Sequence, residues 1–149
     1  MIKGLYETHL FVCNLESSID FYKNRLGLEL CHLEPERRVA FFWIGKPKEA
    51  MLGLWEKSKE EVCSLHIAFR TGIDDILDKS RNFLRERNLK PYNFFQDGTE
   101  MPVVFCWMPA ISIYFDDPDG HLLEFIAVLK GEGRPDLGII TYDEWLKLE

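Results

Sequence analysis

The chain has 149 residues, with 18 lysines and arginines against 25 aspartates and glutamates, for a formal net charge of −7. This length predicts a single domain that can bury a sizeable core without a disulfide or a structural metal. The acid excess argues against nonspecific binding of nucleic acid and against docking on an anionic membrane surface, because both need basic side chains.

The opening segment and the cysteines predict a cytoplasmic protein. The first ten residues do not resemble a signal peptide, and no apolar run approaches the ~20 residues of a membrane-spanning helix. The four cysteines form no C-x-x-C motif, which argues against a zinc ribbon and a thioredoxin-type redox site. In a cytoplasm these thiols are expected to be reduced.

The first sixty residues follow the order strand, helix, strand, strand, strand. Alternation of apolar and polar residues predicts a first strand over residues 5–12. Asn14 or Ser17 can cap the helix that follows, and Gly27 can end it. Further strands are predicted over residues 28–33, 39–44 and 51–55.

The same order of elements recurs in the second half of the chain. The predicted elements are a strand over 64–69, a helix over 73–87, an extended segment over 91–95, and strands over 103–107, 110–115 and 122–128. Residues 131–149 form a tail with a possible short helix over 141–148. The predicted fold is therefore α+β, one domain over residues 1–130 made of two βαβββ modules, near 1–60 and 61–130.

Three residues with ligating side chains occupy the same kind of position. His9, His66 and Glu124 each lie in the middle of a predicted strand between apolar neighbours, so alternation turns them to the face opposite the core. If that face is concave, two imidazoles and a carboxylate line it, which suits Zn²⁺, Ni²⁺, Mn²⁺ or Fe²⁺. Half-buried histidines and a solvated glutamate without a metal are the alternative that the pattern leaves open.

Three segments in order resemble the vicinal oxygen chelate superfamily, which includes glyoxalase I, bleomycin-resistance proteins, fosfomycin-resistance thiol transferases and extradiol dioxygenases. The matching segments are the first strand with residues 15–28, the strand over 64–69, and residues 113–125 with the sequence D-D-P-D-G-H. The resemblance covers about residues 4–128. It implies paired modules whose curved mixed sheet surrounds a metal site, with ligand positions at His9, His66 and Glu124.

One family position is different in this chain. Glyoxalase I has a further ligand, a carboxylate or a glutamine, on the last strand of module one, and its counterpart here falls on or near Gly53. Glu56 lies an odd number of residues away, so it is expected to point to the other face. Without a base beside the metal, glyoxalase I chemistry is not expected. Trp55 shares the face of Gly53, and both are predicted to line a substrate pocket.

The sequence therefore predicts a metalloprotein that acts on a small oxygen-rich substrate, with one divalent metal ion as a Lewis acid. Thiol transfer, a lyase reaction and ring-cleaving oxygenation are the enzymatic alternatives. A noncatalytic small-molecule binder of the bleomycin-resistance type is the alternative of another class, and the presence of three ligands favours the enzyme.

The resemblance also implies a homodimer that shares its metal site between chains. In that arrangement, His9 of one chain joins His66 and Glu124 of the other. The apolar run over residues 103–107 gives independent support, since a bare apolar sheet edge would promote aggregation unless a second chain covered it.

Overall fold

The computed structural model describes residues 1–148, which form two compact units. The first unit comprises residues 1–65 together with residues 117–121, hereafter the D-P-D-G-H turn, and the second comprises residues 66–116 and those from 122 onward. Each unit contains one mixed sheet with few helices, so the predicted α+β class is confirmed. Within the described residues, no helix has the length and apolar character needed to cross a membrane.

The first unit is built on a four-stranded sheet in the order β1-β4-β3-β2, with β1 parallel to β4. Its elements are β1 (Glu7–Val12), α1 (Leu15–Ile19) continuing as a π-helical segment (Asp20–Arg25), β2 (Glu29–Glu34), β3 (Val39–Ile44) and β4 (Ala50–Glu56). Asn14 caps α1 by accepting the backbone N–H of Ser17 at 2.8 Å, as predicted. In β1, Leu10 and Val12 are fully buried, whereas His9 lies on the exposed face.

The D-P-D-G-H turn is bonded to the rest of the first unit through buried side chains. Nδ1 of His121 accepts the backbone N–H of Leu65 at 3.1 Å, and Nε2 donates to the carbonyl of Phe11 at 2.7 Å. The hydroxyl of Tyr22 donates to Asp117 at 2.9 Å, and burial raises the pKa of that carboxyl above its ordinary value. These bonds make the turn a structural part of the first unit.

The second unit is built on a five-stranded sheet in the order β5-β8-β7-β6-β9, with β5 parallel to β8. Its elements are β5 (His66–Arg70), a π-helical segment (Asp75–Lys79) leading into α2 (Ser80–Glu86), β6 (Val103–Phe105), β7 (Ala110–Asp116), β8 (Leu122–Val128), a 3₁₀ turn (Pro135–Leu137), β9 (Ile139–Thr141) and α3 (Tyr142–Leu146). Ile76 of the π-helical segment packs in the same core cluster as Ile111 and Ile113 of β7.

The tail belongs to the sheet of the second unit. Strand β9 pairs antiparallel with β6, so that Val103 lies opposite Thr141 and Phe105 opposite Ile139. Residues 103–105 of the apolar run are therefore not a bare edge, and Val103 is fully buried. The expectation that this run needs a second chain to cover it was wrong, because the chain's own tail supplies the neighbouring strand.

Candidate functional site

Two of the three predicted ligands meet in the second unit. His66 opens β5 opposite Leu122, and Glu124 lies two residues further along the parallel neighbour β8. Nε2 of His66 lies 2.7 Å from Oε2 of Glu124. The His66 side chain is 53% exposed, whereas that of Glu124 is only 3% exposed. The pair thus joins an accessible imidazole to a buried carboxylate.

The second carboxylate oxygen of Glu124 provides a test of whether this pair fits a metal ion. Oε1 is buried and has no hydrogen-bond partner among the described residues. A buried carboxylate oxygen is costly in free energy unless a donor or a cation meets it. Carboxylate oxygen and imidazole nitrogen are both ligands of zinc, nickel, manganese and iron. The donor set of the second unit therefore fits a divalent metal.

A cavity of about 180 Å³ in the second unit includes His66 in its lining. The rings of Tyr92 and Tyr114 stack with centroids 5.9 Å apart, and the Tyr114 ring lies 6.0 Å from that of His66. Burial and the negative charge of Glu124 raise the pKa of Tyr114 to about 12, so this phenol keeps its proton at neutral pH. The other lining residues are Asn93, Phe94, Gln96 and Leu122.

His9 lies in the first unit and has two polar neighbours there. Its Nε2 lies 2.8 Å from Oε1 of Glu7, and the indole Nε1 of Trp55 lies 3.0 Å from its Nδ1. Glu7 was not predicted as a site residue, although its two-residue spacing from His9 places both on one face of β1. The spacing of 7 and 9 was the signal that could have identified this carboxylate.

Gly53 lies directly opposite His9 in the parallel pairing of β1 and β4. A Cβ atom at residue 53 would lie 2.9 Å from Cδ2 of His9 and 3.1 Å from Cε1 of Phe41. Glycine therefore leaves the space in which the His9 ring lies. Trp55 reaches the same imidazole, so both predicted pocket residues adjoin His9, and their contact with a substrate stays a prediction.

The carboxylate of Glu56 accepts hydrogen bonds from Arg38 and Leu15. The guanidinium of Arg38 donates to its carboxylate at 2.6 and 2.9 Å, and the backbone N–H of Leu15 donates at 2.8 Å. These hydrogen bonds, Arg38 first, hold the pKa of the Glu56 carboxyl below its usual range. The carboxylate is therefore committed to a structural ion pair.

The three predicted ligands are divided between the two units. The structure brings His66 and Glu124 together in the second unit, and His9 belongs to the first. Within residues 1–148 of one chain, no three side chains of the His, Cys, Asp and Glu types form a group that could hold a metal ion. The three-residue site therefore stays a prediction.

Comparison with known proteins identifies similar proteins, two of which have named activities. Metallothiol transferase FosB from Staphylococcus haemolyticus is 30% identical over 128 residues, which cover 83% of this chain and 83% of FosB. Lactoylglutathione lyase from Neisseria meningitidis is 26% identical over 138 residues, which cover 86% of this chain and 93% of the lyase. Integron cassette protein HFX_CASS4, from the mobile metagenome of the Halifax Harbour sewage outfall, superposes with a TM-score of 0.71 at 34% identity, over 85% of this chain and 100% of that protein.

A family model matches residues 4–125, which is most of the chain. Members of the family typically bind a divalent metal and small-molecule substrates. The match includes β1, which carries His9, and the part of β8 that carries Glu124. The chain thus belongs to the Glyoxalase/Bleomycin resistance protein/Dioxygenase superfamily, which is the vicinal oxygen chelate superfamily.

Proposed function

We propose that the chain is a metal-dependent enzyme in which His9, His66 and Glu124 hold one divalent ion, Zn²⁺, Ni²⁺, Mn²⁺ or Fe²⁺. The observation that carries this proposal is the state of Glu124, which is buried, paired with His66 through one oxygen, and without a partner for the other among residues 1–148. A glutamate on a solvated face would not be buried in this way. When bound, the ion would act as a Lewis acid on oxygens of the substrate.

The aromatic cavity of the second unit would bind and orient the substrate. The stacked rings of Tyr92 and Tyr114 offer an apolar wall beside His66. Because its phenol stays protonated, Tyr114 can donate a hydrogen bond to a substrate oxygen on which negative charge develops. Gly53 and Trp55 are the proposed pocket residues of the first unit.

Addition of a thiol to a small, oxygen-rich electrophile is the reaction that we favour. The support is the 30% identity to a protein named as a metallothiol transferase. Lyase and ring-cleaving dioxygenase reactions are the other enzymatic possibilities of the same ligand set.

The rings around His9 favour a second candidate, a noncatalytic small-molecule binder of the bleomycin-resistance type. Phe41 and Trp55 lie with ring centroids 6.0 and 5.7 Å from that of His9. The guanidinium of Arg37 lies 5.0 Å from the centroid of Trp55. Half-buried rings of this kind can pack on an aromatic ligand without a metal, so metal content separates the two candidates.

Metal analysis of the purified protein, expressed in metal-replete medium, tests the proposal. We expect about one divalent ion per chain, because three ligands make a single open site. His66→Ala and Glu124→Gln should each weaken metal binding by more than about tenfold. His32→Ala is a matched control, since its side chain is 55% exposed and also contacts a glutamate, Glu34, through Nε2.

Two results would contradict the proposal. Wild-type protein without stoichiometric metal would leave only the binder. Full metal affinity in the His66→Ala protein, with the control unchanged, would remove His66 from the site.

A further inference from the structure

We propose that Trp55 limits the affinity of the chain for a metal at His9, because its indole N–H occupies the ring nitrogen that metal binding must release. Trp55 is in this view a positioning residue that acts through His9. The inference rests on the proposed function in one respect, the assignment of His9 as a ligand. Its basis in the structure is a pair of hydrogen bonds within the first unit.

These two hydrogen bonds determine which nitrogen of His9 carries the proton. An indole N–H can only donate, so Nδ1 of His9, 3.0 Å from Nε1 of Trp55, must be the acceptor. The Glu7 carboxylate, 2.8 Å from Nε2, can only accept, so Nε2 must be the donor. His9 is therefore held with a proton on Nε2 and the lone pair of Nδ1 occupied by the indole N–H, so neither nitrogen has a free lone pair.

Either way of binding a metal breaks the hydrogen bond from Trp55. An ion at Nδ1 takes the lone pair that now accepts the indole N–H. An ion at Nε2 requires the ring proton to move to Nδ1, where it would point at the indole N–H, so that two donors face each other. In both cases Trp55 must release His9 before the ion can bind. The bond to Glu7 is lost only when the ion binds at Nε2.

The surroundings of the two rings favour this arrangement. The rings of His9 and Trp55 are nearly parallel, at 29°, and the guanidinium of Arg37 lies near the Trp55 ring. Gly53 gives the imidazole its space, since a Cβ there would lie 3.2 Å from Nε2. The pairing of β1 with β4 therefore holds the indole N–H of Trp55 beside Nδ1 of His9. A metal ion must displace this hydrogen bond in order to bind His9.

Nitrogen NMR of the metal-free protein tests the tautomer without any metal. We expect His9 of the wild type to show an unprotonated Nδ1 and a protonated Nε2. The indole signal of Trp55 is identified by its absence from the Trp55→Phe protein, in which Glu7 remains as the partner that holds the proton on Nε2. A wild-type His9 with its proton on Nδ1 would overturn the inference.

Titration of the metal-free protein with Zn²⁺ tests the consequence for affinity. Trp55→Phe keeps a ring at this position and removes the N–H, so it should bind Zn²⁺ about fivefold more tightly, the equivalent of one net hydrogen bond. Phe41→Leu is the matched control, because it removes the other ring beside His9 and no hydrogen bond. The control should stay within about twofold of the wild type. Weaker binding by the Trp55→Phe protein would overturn the inference.

The indole signal of Trp55 separates failure of this inference from failure of the proposed function. In the wild type this signal should move when Zn²⁺ saturates the site, because the hydrogen bond to His9 is broken. Saturation without a shift of the signal would overturn the inference alone. A wild type that binds no Zn²⁺ would overturn the proposed function, and with it the claim that Trp55 opposes a metal.

Discussion

At residue 53, a single methyl group should be enough to move the imidazole of His9. The Cβ of a Gly53→Ala protein would lie 2.9 Å from Cδ2 of His9, whose half-exposed ring can rotate away. We therefore expect the free energy of unfolding to fall by less than about 1 kcal/mol, while the hydrogen bond from Trp55 is lost. The indole N–H signal of Trp55 in the metal-free protein measures the second effect, and an unchanged signal would contradict it.

Because residue 53 is a glycine, we expect the chain to show negligible isomerisation of the methylglyoxal–glutathione adduct. The reaction moves a proton next to a carbonyl and needs a base beside the metal. Residue 53 supplies none, and the Glu56 carboxylate is bonded to Arg38. Turnover assays with Zn²⁺ or Ni²⁺ check this, with the Neisseria meningitidis lactoylglutathione lyase as positive control. Robust turnover would point to another carboxylate, and Glu7, in contact with His9, would be the first to test.

The stability of the first unit should depend on pH, because the guanidinium of Arg38 donates hydrogen bonds to the carboxylates of both Glu16 and Glu56. Hydrogen bonds from Arg38 hold the pKa of Glu16 at about 2 and keep that of Glu56 below its ordinary value of 4.5. Since these pKa values are lower in the folded chain than in the unfolded chain, the stabilisation is present above pH 4.5 and is lost as the pH falls toward 2. Urea unfolding over this range should show a shallower loss for Glu56→Gln than for the wild type. Glu36→Gln, at an exposed glutamate of the neighbouring turn, should follow the wild type.

At the scale of elements, apolar periodicity predicted most strands well. The strands β3 and β8 have the bounds that the pattern predicts, 39–44 and 122–128, because each is a short apolar run between turn residues. The segment predicted as a helix over 73–87 is helical over 73–86, but residues 75–79 within it are π-helical. A local pattern does not distinguish i→i+5 from i→i+4 hydrogen bonds, so this feature could not be predicted.

The contacts of the candidate site were only partly predictable. Alternation placed His9 and Trp55 on the correct faces of their strands. Their hydrogen bond depends on β1 pairing parallel with β4, and the pattern of neither strand specifies that partner. The stacking of Tyr92 on Tyr114 likewise arises from an isolated bridge between a loop and β7. Side-chain contacts between residues that are far apart in the chain therefore could not be predicted from the sequence.

The path of the tail beside β6 should be sensitive to one glycine. A Cβ at Gly133 would collide with the carbonyl oxygen of Trp107 and lie 3.1 Å from its carbonyl carbon. The backbone there cannot shift freely, because the N–H of Arg134 donates to the carbonyl of Cys106 at 2.7 Å. Gly133→Ala should therefore destabilise the chain by about 1–3 kcal/mol. In the same unfolding experiment Gly4→Ala, with no heavy atom within 4 Å, should be neutral. Equal stability of the two variants would contradict this prediction, because it would mean that the tail backbone shifts to accommodate the added methyl group.

At the scale of the whole molecule, we expect a homodimer. The strands that carry His9 and His66, β1 and β5, each lie at the end of a sheet. An end strand offers backbone groups to which a second chain can bind, and two-fold symmetry is the commonest closed arrangement. Sedimentation of the wild type at micromolar concentration should therefore show a dimer. A monomer at this concentration would contradict the prediction.

Subunit exchange distinguishes a shared site from a site within one chain. Neither His9→Ala nor Glu124→Ala should bind metal well alone. If the site is shared, each mixed dimer regains one intact site, from the chain that keeps its His9 and the chain that keeps its Glu124. After complete random exchange, about a quarter of the wild-type sites should return. No recovery after verified exchange would mean that each site lies within one chain.

The D-P-D-G-H turn has a consequence for how the protein is made. The bond between Tyr22 and Asp117 spans 95 residues, and that between Phe11 and His121 spans 110. When the ribosome has just added Leu65, every strand of the first sheet has been made. Asp117 and His121, which bond to Tyr22 and to the Phe11 carbonyl, have not yet been made. At ordinary elongation rates these groups follow roughly 3–11 s later. The nascent chain must therefore carry an unfinished first unit while the second is being translated, and a fragment that ends at Leu65 should not fold by itself.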